Sequence, residues 1–237
     1  MMRRILPAVL AVALGVPQGA PAAAPRGECV ILLHGLNRTE RSMRPLERAL
    51  ADAGYTVVNQ GYPSRSAPVA ALAERALPAA LAQCPGAHRV HFVTHSMGAM
   101  LLKSWAAQNR LPKAGRAVML APPNGGSEIV DRFGDWRAFR WINGPAGSQL
   151  GTEVTALPAR LPDLERPTGI IAGTRSLNPI FSSLIDGPDD GKVSLRSAFA
   201  GEGQRLALPV THTWMMRDTG VINATLSFLK SGRFDGT

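Results

Sequence analysis

Thr94-His95-Ser96-Met97-Gly98 sets a serine between an apolar, β-leaning run (Val90 to Thr94) and a helix-forming run (Ala99 to Gln108). A serine on a sharp strand-to-helix turn is held in a strained backbone with its hydroxyl exposed. The helix N-terminus directs free N–H groups at whatever binds there. That is the geometry of a serine nucleophile. Four of the five positions of Gly-x-Ser-x-Gly are met. Threonine, larger and β-branched, stands at 94 in place of the first glycine.

A serine hydroxyl is a weak nucleophile at neutral pH. It needs a base within hydrogen-bond reach, and the base needs a carboxylate to orient it. The histidines are His34, His88, His91, His95 and His212. His95 adjoins the serine, and neighbours on a sharp turn point apart. His88 and His91 precede or lie in the nucleophile strand, and His34 sits in an earlier strand-end turn. His212, in Val210-Thr211-His212-Thr213-Trp214, follows the last expected strand, where a loop can carry it over the sheet edge to Ser96. The carboxylate comes from Asp186-Gly187-Pro188-Asp189-Asp190-Gly191. Asp190, directly before the flexible Gly191, is the first choice; Asp189 is the alternative and Asp186 the third. Two N–H donors must face the developing oxyanion. Met97, after the nucleophile, supplies one; Leu36, after His34-Gly35, supplies the other.

These residues need a scaffold, and the chain has the pattern for one. Cys29 to Leu33 is a continuous apolar run, as in a strand covered on both faces, and it ends at His34-Gly35. Leu46, Ala49, Leu50 and Ala53 follow Pro45 at helical spacing, and Gly54 ends that helix. Thr56 to Asn59 is a strand. Leu72, Ala76, Leu77, Ala80 and Leu81 mark a helix interrupted by Pro78. Further strands fall at 116–121, 169–172 and 205–207. Ile222, Leu226 and Leu229 define a last helix, with Asp218 or Thr219 as its cap. Strands alternating with helices predict an α/β fold: a mainly parallel sheet with helices on both faces.

One stretch breaks the alternation. Asn124 to Arg166 is rich in Gly and Pro and carries Phe133, Trp136, Phe139, Trp141 and Ile142, with a short helix expected over 135–143. It reads either as an apolar cap over the serine or as an excursion that completes the core. The apolar residues around the serine (Leu36, Met97, Met100, Trp141, Met215 and Met216) predict a pocket for an acyl chain. Met100, Trp141 and Met215 are its candidate substrate contacts.

With 237 residues and 45% hydrophobic content, the chain is long enough for one large domain and is not generally disordered. The net charge of +9 comes mainly from scattered arginines, without a basic block or zinc-finger spacing, so no nucleic-acid partner is expected. A basic surface favours peripheral contact with anionic lipid. Arg3-Arg4, the apolar stretch from Ile5 to Val16 and Ala20-Pro21-Ala22 read as a secretory signal peptide with an Ala-x-Ala cleavage site. An uncleaved anchor is the other reading. This sets residues 1–24 apart from a single domain over 25–237 and predicts a periplasmic or secreted protein. In that oxidising setting Cys29 and Cys84, each ahead of a strand run, are expected at one sheet edge as a disulfide.

His34-Gly35-Leu36, Thr94-His95-Ser96-Met97-Gly98, Asp190-Gly191-Lys192-Val193 and Val210-Thr211-His212 together resemble the α/β-hydrolase superfamily, and within it small bacterial lipases and esterases and a PGAP1-like group. The resemblance runs over residues 26 to 234. It implies the α/β-hydrolase fold with a short cap, a triad of Ser96, Asp190 and His212 in that chain order, and an oxyanion hole of Leu36 and Met97. The Asp-Gly-x-Val pattern within it favours Asp190 over Asp189. It implies hydrolysis of carboxylic esters, with lipid or acyl esters as substrates. No cofactor and no metal are expected, since no calcium-ligand cluster is present. Acyl transfer or thioester hydrolysis would use the same triad. A non-catalytic member of the fold that binds a lipid or a protein partner is the reading from outside enzymology.

Overall fold

The computed structural model describes residues 27–112 and 114–234. The expected signal peptide over 1–24 lies outside the described residues. In chain order the elements are β1 (Glu28–Leu33), α1 (Arg44–Asp52), β2 (Thr56–Gln60), α2 (Val69–Leu81), β3 (Arg89–His95), α3 (Met97–Ala106), β4 (Ala117–Leu120), α4 (Glu128–Phe133), α5 (Arg137–Gly147), α6 (Leu157–Arg160), β5 (Thr168–Gly173), α7 (Pro179–Ser182), α8 (Leu195–Ala198), β6 (Gln204–Leu208) and α9 (Thr219–Ser231). The six strands form a sheet in the order β2-β1-β3-β4-β5-β6, and every neighbouring pair is parallel. Among the described residues, no helix is long and apolar enough to cross a membrane.

The continuous apolar runs of the central strands follow from burial on both faces. In β1, Val30 and Leu32 pack with Leu46, Leu50, Phe228 and Leu229 of α1 and α9. Ile31 and Leu33 pack on the opposite face with Leu72, Leu77, Met97 and Met100 of α2 and α3. Pro45 stands in the first turn of α1, where its missing N–H is no loss. Asp218 caps α9, accepting a hydrogen bond from the Val221 N–H at 3.1 Å. The stretch between β4 and β5 holds α4, α5 and α6, and α5 is broken at Gly144. Its aromatic residues do not complete the core: Trp136 is 60% exposed and Trp141 84%.

The β1–β3 pairing matches Leu33 with Thr94. The two turns that follow, at Gly35 and at Ser96, therefore emerge side by side at the carboxyl edge. The opposite edge is tied covalently, because Cys29 and Cys84 form a disulfide with 5.8 Å between their Cα atoms.

Near that amino edge His91 is fully buried. Its Nδ1 accepts from the Arg116 N–H at 3.1 Å, and its Nε2 faces Glu28 Oε2 at 3.2 Å. Burial pushes its pKa down to about 4, against the opposing pull of Glu28. The unfolded chain takes up this proton near pH 6.5, while the folded chain does not until about pH 4. The unfolded state thus binds more protons in that window, and stability falls with pH there. The expected loss from His91 is up to about 3 kcal/mol. Burial lowers the pKa of His34 and His95 as well, adding in the same direction. Urea unfolding at pH 7 and pH 4.5 checks this; equal stabilities at the two values would contradict it.

Candidate active site

Ser96 occupies the turn between β3 and α3 with φ 52° and ψ −124°. A non-glycine residue in such a region carries about 1–3 kcal/mol of strain. The fold imposes it: the Ser96 N–H donates to the Leu120 carbonyl at 2.8 Å, so the chain must turn sharply before entering α3. Two glycines make room. A Cβ on Gly98 would lie 2.5 Å from the Leu33 carbonyl oxygen, and one on Gly35 would lie 2.9 Å from His95 Nδ1 and 3.1 Å from Ser96 Cβ. Thr94, where the motif has glycine, fits as a fully buried strand residue, with its Oγ1 left unpaired.

His212 and Asp190 meet at the same edge. Asp190 lies in the loop after β5 and His212 after β6. Their side chains are buried, with His212 Nδ1 2.7 Å from Asp190 Oδ2. The other carboxylate oxygen, Oδ1, accepts from the Lys192 N–H at 3.0 Å and the Val193 N–H at 2.9 Å. The His212 N–H donates to the Asp190 carbonyl at 3.0 Å, so backbone and side chain fix the pair together. A carboxylate on Nδ1 places the ring proton there and leaves Nε2 as an acceptor. Among the described residues neither Nε2 nor the Ser96 hydroxyl makes a hydrogen bond, so both groups are free for a substrate.

Asp189 has a different task. Its Oδ1 accepts from the Ser182 hydroxyl at 2.8 Å and the Gly191 N–H at 2.6 Å, which shapes the turn that presents Asp190. Asp186 faces solvent beside Arg196. His95 also has a positioning task. Its ring lies 4.8 Å from that of His212, and its Nε2–H donates to the His212 carbonyl at 3.0 Å. Burial, then the nearby His212, hold its pKa well below the usual value, so it is neutral.

Leu36 and Met97 lie in the turns that follow the paired strands β1 and β3. Met97 opens α3, so its N–H lies outside the helix ladder. The Leu36 N–H makes no hydrogen bond among the described residues. The Leu36 turn is braced from three sides. The Tyr62 hydroxyl donates to the His34 carbonyl, and the two rings stack with centroids 4.0 Å apart. The Asn37 N–H donates to Ser64 Oγ at 3.1 Å, and Asn37 Nδ2 donates to Asn143 Oδ1 of α5 at 2.7 Å. Asn37 has φ 56°, a conformation asparagine tolerates well.

Met100 and Met215, expected to touch substrate, do not reach it. Both are fully buried in the core clusters, Met100 against the α2 side of the sheet and Met215 against the α1–α9 side. The reason is direction: nearness to Ser96 or His212 in sequence does not aim a side chain at them, and both methionines point inward where their backbone packs on the sheet. Trp141 is exposed and lines an 820 Å³ groove with Asn37, Arg38, Tyr62, Ser64 and Arg65, beside the Leu36 turn. The braces from Tyr62 and His95 are contacts of the candidate site that sequence reasoning missed. Tyr62 carries one local signal, its place just past the carboxyl end of β2, the edge where the other site residues emerge.

A family model described as "Alpha/beta hydrolase family" matches residues 30–226. No curated protein matches the sequence. Among solved structures, the mature lipase BlEst2 of Bacillus licheniformis superposes with a TM-score of 0.64 at 15% identity, covering 92% of this chain and 96% of the lipase. The metagenomic carboxyl esterase MGS0156 gives 0.57 at 20% identity over 85% of this chain and 70% of the esterase. The phospholipase PlaB of Legionella pneumophila gives 0.57 at 16% identity over 72% of this chain and 45% of the phospholipase. At these identities the likeness is one of fold.

Proposed function

The chain belongs to the alpha/beta hydrolase family, and from that premise we propose that it is a serine hydrolase of carboxylic esters, acting on lipid-like acyl esters. Ser96 Oγ attacks the ester carbonyl carbon, and His212 Nε2 takes the hydroxyl proton. The carbonyl oxygen becomes an oxyanion held by the Leu36 and Met97 N–H groups. Collapse breaks the bond to the leaving alcohol, which takes the proton from His212. A water then attacks the acyl-enzyme, giving its proton to His212. Collapse of the second intermediate releases the carboxylic acid and returns the proton to Ser96. Asp190 holds the His212 ring and stabilises its cation throughout. The observation that carries this reading is the 2.7 Å His212–Asp190 contact, which frees Nε2 at the edge where Ser96 turns outward.

A lipid-like acyl group is supported by the exposed Trp136, Trp141 and Ile142 on the 124–166 segment, which we take as a cap and as a point of peripheral contact with lipid. The Cys29–Cys84 disulfide supports an exported location, since cytosolic reductants keep such pairs open.

The test is labelling of purified protein with a fluorophosphonate, beside a panel of p-nitrophenyl esters of rising acyl length. Labelling and turnover that peak at medium or long chains are expected. Absence of both from folded protein, in detergent as well as in buffer, would sink the proposal.

The Tyr62 brace gives a second expectation. Tyr62→Phe keeps the ring stacked on His34 but leaves the buried His34 carbonyl without its donor, which costs about 1–3 kcal/mol of stability. The loosened Leu36 turn is expected to lower kcat about tenfold with KM nearly constant, because the Leu36 N–H acts mainly on the oxyanion. Steady-state kinetics and a thermal melt read both effects; a change confined to KM would refute the positioning role.

A further inference from the structure

The groove beside the Leu36 turn has an unusual charge. Arg38 and Arg65 line it, together with Asn37, Thr39, Ser64 and Ser66, and no aspartate or glutamate does. Neither arginine has a carboxylate within ion-pair distance among the described residues. Arg65 makes one bond, to the Ile142 carbonyl at 3.1 Å, which leaves most of its guanidinium unused. Glu40, the nearest acid in sequence, turns away toward Gly61 and His34.

Lys192 lies two residues after Asp190. Its backbone N–H is committed to Asp190, and its ammonium has no ion-pair partner. The residue as a whole is exposed, while its ammonium is crowded by protein atoms. Burial, and then repulsion from Arg38, lower its pKa. Arg38 and Lys192 both also disfavour a charge on His95. Arg38 and Arg65 thus line one groove, and Lys192 lies near enough to Arg38 to feel its charge. Asp190, the acid among them, is already engaged by His212. Two arginines on one groove with no carboxylate in ion-pair distance repel each other, and a ligand that brings a counter-charge would relieve that repulsion.

We infer that this groove is a subsite for an anionic group on the substrate, so that the preferred ester is one whose alcohol portion carries a phosphate or a carboxylate. The inference rests on the ester-hydrolase reading of Ser96. The acyl carbonyl sits at Ser96, and the anionic end of the alcohol lies along Arg38 and Arg65. Guanidinium forks suit a planar or tetrahedral oxyanion better than a point charge would. The bond chemistry is that of the neutral ester, and the charged end stays on the released alcohol.

The experiment compares three soluble hexanoyl esters of matched size: of glycerol, of glycerol 3-phosphate and of glyceric acid. In low salt kcat/KM is expected to be at least tenfold higher for one or both charged esters than for the neutral one, and the advantage should shrink as salt is raised. The phosphate and carboxylate arms identify which oxyanion fits. Arg38→Gln should reduce the charged-to-neutral ratio about tenfold, whereas Arg110→Gln, an exposed arginine at the amino edge, should leave that ratio as it was. A wild-type ratio near one, or an Arg38→Gln variant that keeps the preference, would overturn the subsite while the hydrolase reading stands on the neutral ester. If no ester is turned over, the hydrolase reading fails. The subsite is then judged by calorimetry of hexyl phosphate against hexanol, where equal or absent binding of the two overturns it as well.

Discussion

Ser96→Ala is expected to lower ester turnover by about 10⁴- to 10⁶-fold and to abolish fluorophosphonate labelling, while the protein folds as before. The fold survives because the hydroxyl makes no hydrogen bond among the described residues, so removing it leaves no orphaned partner. The strain is a property of the backbone, and alanine inherits it at φ 52°. Glycine would not. Ser96→Gly is therefore expected to be equally inactive yet more stable than the parent, by about 1–2 kcal/mol, as the strain is relieved. Parallel melting curves and single-turnover assays on the two variants measure this. A glycine variant less stable than the alanine variant would mean that the turn is not strained in the protein, and the argument for a functional elbow would lose its energetic half.

Asp190→Asn carries the next largest effect, and its direction follows from the hydrogen bonds around the carboxylate. Oδ1 accepts from two backbone N–H groups, those of Lys192 and Val193. An asparagine must therefore keep its carbonyl oxygen there and turn its NH₂ toward His212. Facing a donor, His212 Nδ1 becomes an acceptor, and the ring proton moves to Nε2. Nε2 can then no longer take the serine proton. The expected loss in kcat is about 10⁴-fold with KM little changed. Asp189→Asn, one residue away, should cost less than about tenfold, because Asp189 shapes the turn and does not touch the imidazole. Nitrogen NMR of the histidine ring reports the tautomer directly. Retention of the Nδ1–H form in Asp190→Asn, or equal losses at 189 and 190, would exclude this assignment.

The parts of the site that the sequence disclosed are those whose neighbours are close in the chain. Apolar runs ending in His34-Gly35 and His95-Ser96 specify two strands and the turns after them, and a parallel sheet must present both turns at one edge. The Asp190–His212 meeting was legible for the same reason, as each follows a neighbouring strand. What could not be read depends on the direction of side chains and on contacts between distant loops. Met100 and Met215 lie close in sequence to Ser96 and His212 but face the core; for Met100 the reason is that helix rotation on the sheet is set by the whole apolar stripe and not by one residue. Tyr62 reaches His34 only after β2 has paired with β1. The aromatic residues of 124–166 had two readings of equal merit, because helical spacing is the same on a buried face and on an exposed one. Here the two tryptophans are exposed and Phe133 and Phe139 are half-buried.

The disulfide has a topological consequence as well as an energetic one. Joining Cys29 to Cys84 turns that stretch of chain into a covalent ring that contains β1, the Leu36 turn, β2 and the Tyr62 brace. Within it lies a loop with exposed residues at Pro63, Arg65 and Ser66. If a protease nicks that loop, the ring becomes two arms still joined at the amino edge, and β2 remains tethered beside β1. A broken strand end can then find its own pairing again without searching through solution. Damage to that loop is thereby converted from loss of a fragment into a local break whose two sides stay held in place.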